Sequence, residues 1–88
     1  MASEDLKLEI KKHIINYCNL MGVEPESVGN DTPLFGDGLG LDSIDSLELV
    51  VLLEREYGIK INNPQEGRKI LVDVNHMADY IEANKTKG

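Results

Sequence analysis

The sequence predicts an all-α fold of four helices, with a long connection between the first and second and a short third helix. Three observations lead there. Apolar residues recur at steps of three and four in separate stretches, the mark of helices with one buried face. Turn-forming residues crowd into residues 22–41 and exclude a regular element between the first two stretches. No segment alternates apolar and polar residues for long; Ile59-Lys60-Ile61 comes nearest and is too short for a strand.

The first helix is expected from about Glu4 to Leu20. Ser3 is placed to cap it, Glu4 and Asp5 suit the positive end of its dipole, and Gly22 is the expected stop. Leu6, Ile10, Ile14, Tyr17 and Cys18 share one face. Within the long connection, Val28, Leu34, Phe35, Leu39 and Leu41 are positioned to pin the loop to the core, and 26–28 is expected to form a short helical turn. The second helix is expected from Ser43 to Tyr57, capped by Asp42, with Asp45 in its first turn and Gly58 as its stop. Asn63, Pro64 and Glu66 read as the cap, first residue and box-closing acid of a brief third helix, made irregular by Gly67. The fourth starts after Asp73 and runs to about Ala83, with Val74, Met77, Ala78 and Ile81 on its apolar face. His76 in its first turn reads as a surface or cap residue.

Composition narrows the function. A chain of 88 residues reads as one domain, 1–88, too small for a deep catalytic pocket, so no enzyme activity of its own is expected. Sixteen acidic against nine basic residues give a formal net charge of -7, which argues against nucleic acid and anionic membranes and favours a basic protein partner. One cysteine, Cys18, excludes an internal disulfide and reads as a small core residue. Cys18, His13 and His76 have no recognised zinc spacing, and counting back from Gly38 puts Pro33 where a calcium-binding loop needs an aspartate. An acidic N-terminus without an apolar signal core and the lack of a membrane-length apolar run make the cytoplasm the expected location.

The second helix carries a second apolar stripe. With Ser43 at zero, Leu49, Val50, Leu53 and Tyr57 fall at about 240–340°, a core stripe. Ile44, Leu47 and Val51 fall at about 40–100°, with Glu48 beside them near 140°. Either this second stripe is a docking surface edged by acids, or loop 22–41 folds over it and makes it core. Replacing Leu53 tests which stripe is buried.

Ser43 stands between Gly36-Asp37-Gly38-Leu39-Gly40-Leu41 and this helix. An ester phosphate on its oxygen would sit at a helix N-terminus, where free N–H groups favour an anion. Use of Ser43 as a nucleophile by this chain itself is not supported, because neither histidine has a motif relation to it. The run Leu39-Gly40-Leu41-Asp42-Ser43-Ile44-Asp45-Ser46-Leu47-Glu48-Leu49-Val50 closely resembles the phosphopantetheine attachment region of acyl carrier proteins. The loop's Leu34-Phe35-Gly36-Asp37, the closing Leu53-Glu54-Arg55-Glu56-Tyr57 and Val72-Asp73-Val74 resemble the same family, so the likeness covers nearly the whole chain.

The resemblance implies an acyl-carrier-like four-helix bundle, monomeric, with 4′-phosphopantetheine attached to Ser43 from coenzyme A by a separate holo-synthase that uses magnesium. Asp42 would orient the metal and serine in that complex. Ile44, Asp45, Leu47, Glu48 and Val51 would meet acyl-processing partners such as ketosynthases, acyltransferases and reductases through their basic docking patches. The core stripe would help enclose the acyl chain. Arg55, where many fatty-acid carriers have an acid, and the basic Gly67-Arg68-Lys69 depart from the usual pattern. Fatty-acid synthesis and a specialised polyketide, aryl-polyene or lipid-modifying pathway therefore both stay open. So do two alternatives: a peptidyl carrier, and a helical interaction module whose serine is never modified.

Overall fold

The computed structural model describes residues 4–85, and within them the chain is helical, with no strand. The helices are α1 (Glu4–Tyr17), α2 (Ser43–Tyr57), α3 (Pro64–Ile70) and α4 (Val74–Lys85), with a 3-10 turn at Pro25–Ser27. α1 packs against both α2 and α4, and α3 packs against α4. Ile10 and Ile14 of α1, Leu49, Leu52 and Leu53 of α2 and Val74, Met77 and Ile81 of α4 are essentially fully buried, with Leu34 of the loop among them. No helix of the described residues is long and apolar enough to cross a membrane.

α1 ends before the expected Leu20. Asn19, not Gly22, makes the first left-handed turn, at φ 55°, and the Leu20 N–H reaches back to the Ile15 carbonyl at 3.0 Å. Asparagine tolerates that conformation and so stops a helix before glycine is needed. Gly22 takes the second left-handed turn at φ 82°. The expected Ser3 cap lies outside the described residues. Near the far end of α2, two tyrosines clasp α1 and α2 together. Tyr57 donates to Glu9 at 2.7 Å, Tyr17 donates to Glu56 at 2.9 Å, and the His13 ring stands edge-on to both phenols.

The long loop spends its backbone groups on the α4 side of the molecule. The Leu34 N–H bonds to the Val72 carbonyl, and the Asn30 carbonyl takes the otherwise orphaned Asn75 N–H in the first turn of α4, both at 3.0 Å. Val28, Leu34 and Leu41 are buried, and Phe35 and Leu39 are partly so, as their spacing suggested. The short helical turn is present one residue early, at Pro25–Ser27.

α3 is regular rather than irregular. Gly67 is buried, and a Cβ there would stand 3.6 Å from Ile61 Cγ2, so the glycine brings the helix close to the preceding segment without breaking it. Asn63 caps it by accepting the Gln65 N–H at 2.9 Å. Glu66 does not close a capping box; its carboxylate accepts the Tyr80 hydroxyl and pins α3 to α4. α4 extends two residues past the expected Ala83. Its first turn is capped by Asp73, which accepts the His76 N–H at 2.8 Å and stands 2.6 Å from the His76 ring nitrogen Nδ1.

Candidate functional site

Ser43 is the first residue of α2, and its placement follows from the residues on either side. Asp42 Oδ1 accepts the N–H groups of Ile44 at 3.0 Å and Asp45 at 3.1 Å, and Asp45 Oδ2 accepts the Asp42 N–H at 3.1 Å. This reciprocal box fixes the start of the helix at Ser43. At the other end Gly58, at φ 67°, donates its N–H to the Glu54 and Leu53 carbonyls. The helix bounds are those expected from sequence.

The box changes what the N-terminus offers. Two of the amide donors expected to receive an ester phosphate are held by Asp42. The Ser43 side chain is exposed, and its hydroxyl takes part in no hydrogen bond among the described residues. The neighbouring Ser46 hydroxyl is committed, donating to the Ser43 carbonyl at 2.7 Å.

Beside Ser43 opens a cavity of about 630 Å³ between α2 and α3. Phe35, Leu41, Leu47, Val50, Ile61 and Leu71 make its body apolar. Ser43 and Asp42 stand on the α2 side, with Asn62, Asn63 and Arg68 on the α3 side. An unengaged, exposed hydroxyl at the mouth of an apolar cavity fits a covalently attached pantetheine arm with an acyl cargo.

The two faces of α2 resolve in favour of exposure. Ile44 is 69% exposed, Leu47 66% and Val51 37%, so the loop does not cover the second stripe. Glu48 and Asp45 edge it and are partly buried. The core face is turned from its expected position. Leu49, Leu52 and Leu53 are the buried residues, an arc of about 180–280° on the same scale, and Val50 and Tyr57 are only partly buried. Val50 borders the cavity instead of the core, and Tyr57 turns its hydroxyl to Glu9. Of the four residues of the expected core stripe, Val50 is the one that lines the cavity among the described residues. Leu47 belongs to both the cavity rim and the exposed face.

Cys18 lies partly buried, just after α1. Burial pushes its thiol up to about 11, and the nearby carboxylates of Asp45, Glu48 and Asp42 push the same way. A thiol so disfavoured as thiolate supports the core role over a reactive one.

The site residues missed in the sequence are those of the far wall. Ile61, Asn62, Arg68 and Leu71 of the cavity lie outside the attachment motif, and Leu52 of the core was missed within α2 itself. The basic Arg68-Lys69 pair was the one available signal on α3.

Comparison with known proteins adds to this geometry. The family model described as the phosphopantetheine attachment site matches residues 17–65, which contain the loop, Ser43 and all of α2. An acyl carrier protein of Brachyspira hyodysenteriae is 40% identical over 77 residues, covering 88% of this chain and 92% of the relative. An acyl carrier protein of Rhodopseudomonas palustris is 36% identical over 75 residues, covering 85% and 87%. One from a Bradyrhizobium species has the same identity and coverage.

Proposed function

The chain belongs to the acyl carrier protein family, and on that premise we propose that Ser43 is the residue that receives its 4′-phosphopantetheine. The chain is a carrier of acyl groups and not an enzyme. The arm supplies a terminal thiol on which acyl groups ride as thioesters. The observation that carries the assignment to Ser43 is its exposed, unengaged hydroxyl beside the cavity, next to a Ser46 hydroxyl that is already bonded. Asp42 suits the role of orienting serine and metal within the holo-synthase. Its Oδ1 holds both amide N–H groups of the cap, and its Oδ2 is unengaged among the described residues, so the helix need not be undone.

Incubation with coenzyme A and a broad-specificity holo-synthase tests the proposal by intact mass. Wild type is expected to gain one phosphopantetheine and Ser43→Ala none. An adduct that survives the substitution would overturn the assignment.

Partners are acyl-processing enzymes, and the proposed contact surface is Ile44, Asp45, Leu47, Glu48 and Val51. Exposed apolar side chains bordered by acids give short-range contact and long-range attraction to a basic patch. We place the carrier, as a single monomeric domain, in the cytoplasm among enzymes of fatty-acid, polyketide or related lipid biosynthesis. Glu48→Lys is expected to slow arm transfer roughly 2- to 10-fold at low salt, with the difference shrinking as salt rises, and to leave the helical spectrum unchanged. Equal transfer rates at low salt would remove Glu48 from the contact surface.

A further inference from the structure

We propose that Arg68 pairs with an anion carried on the arm at Ser43 and so draws the arm back over the cavity between α2 and α3. The inference rests on Ser43 as the attachment point. It starts from the chemistry of the α2 N-terminus, which is poorly furnished for a new anion. Asp42 Oδ1 already takes the Ile44 and Asp45 N–H groups, and the Ser46 N–H bonds to the Asp42 carbonyl at 3.0 Å. Two carboxylates, Asp42 and Asp45, stand at that end. A phosphate there meets like charge and finds most of the first-turn donors occupied.

The opposite wall of the cavity is furnished differently. Arg68 is the sole cation among the described residues that line it. Its guanidinium makes no ion pair and no hydrogen bond with the described residues. Lys11, Lys12, Lys60 and Lys69 have no ion pair among the described residues either, and Arg68 differs from them in standing on the wall of an apolar cavity. Asn62 lines the same wall with its amide uncommitted among the described residues, whereas the Asn63 side chain accepts the Gln65 N–H. A guanidinium fork matches phosphate and carboxylate oxygens two at a time. Tethering holds the anion at high effective concentration, so an exposed pair that would be negligible between free molecules closes intramolecularly.

The arm offers that anion from two sources: its own phosphate, or a carboxylate on a dicarboxylic cargo. The test loads the full chain from coenzyme A, acetyl-coenzyme A and succinyl-coenzyme A, confirms loading by intact mass, and follows the Arg68 Nε–H by NMR. Pairing is expected to shift this resonance and slow its exchange with water by about two- to fivefold relative to the unloaded chain. A phosphate partner gives the effect in all three loaded forms, and Arg68→Gln then moves the phosphodiester phosphorus resonance. A carboxylate partner gives it only with succinyl cargo. Either pattern supports the pairing. A loaded chain whose Arg68 resonance and exchange match those of the unloaded chain in all three forms overturns it, while the Ser43 assignment stands. A chain that gains no mass overturns the Ser43 assignment, and this inference with it.

Discussion

Replacing Leu53 with alanine will destabilise the protein by about 2–5 kcal/mol, while Val51→Ala, two positions earlier in α2, will change its stability by less than about 1 kcal/mol. The contrast follows from the face each residue occupies. Leu53 is 0% exposed and packs into the cluster that joins α1, α2 and α4. Truncation there removes three buried carbons and leaves a void that helices tied at both ends cannot fully close. Val51 lies on the face open to solvent. A chain of 88 residues has a total stability of roughly 4–13 kcal/mol, so losing Leu53 removes a large fraction of it. Urea unfolding measures this directly, as a fall in midpoint with an unchanged slope. Equal midpoints for the two variants would mean that the buried and exposed faces of α2 have been exchanged.

Gly38→Ala will also destabilise the fold, by about 1–3 kcal/mol, although it adds a single methyl group. A Cβ at this position would stand 1.7 Å from the Pro33 carbonyl oxygen and 2.6 Å from its carbon. The obstacle is backbone, and it cannot turn aside as a side chain would. The same Pro33 carbonyl accepts the Leu39 N–H at 2.9 Å, which holds the two sides of the loop tip together. Opening that contact loosens Leu34 and Leu41, joined by a 3.1 Å backbone hydrogen bond and both buried. Leu41 also lines the cavity next to Ser43, so the damage reaches the site. Gly36→Ala is a control of different origin: a Cβ there meets nothing, and its cost comes only from φ of 73°. Wild-type stability in Gly38→Ala would show that the loop accommodates a wider tip.

Local chemistry was the part of the fold most legible in the sequence. Asp42 as cap, Asp45 in the first turn and Gly58 as stop place both ends of α2 without tertiary information, and the structure adds that the two aspartates close a reciprocal box. The exposed stripe was visible for the same reason, since Ile44, Leu47 and Val51 share a face whatever they meet. What they meet was not visible. Periodicity left open whether the loop covers them, and the answer lies in its hydrogen bonds to Val72 and Asn75, far along the chain. Leu52 escaped notice because the arc was stretched to Val50 and Tyr57 on its far side, and the cavity that Val50 lines is completed by residues of α3 and the segments flanking it. Glu66 shows the same limit: a capping box and a bond to Tyr80 are both open to it, and only the packing of α3 on α4 decides. Ser43 itself was singled out by its flanking motif, whereas the occupied cap and an Arg68 without a partner among the described residues needed three dimensions.

The muted thiol of Cys18 makes the molecule convenient to interrogate. With its titration moved to about 11, Cys18 is almost wholly neutral at pH 8 and is expected to answer alkylating reagents slowly. A sulfhydryl at the end of a solvated arm has no such handicap. Maleimide dyes applied briefly at neutral pH should therefore colour the armed molecules and leave the bare ones dark. The same contrast would let a fluorescent gel sort charged carriers from discharged ones, because a thioester hides the only thiol that reacts quickly.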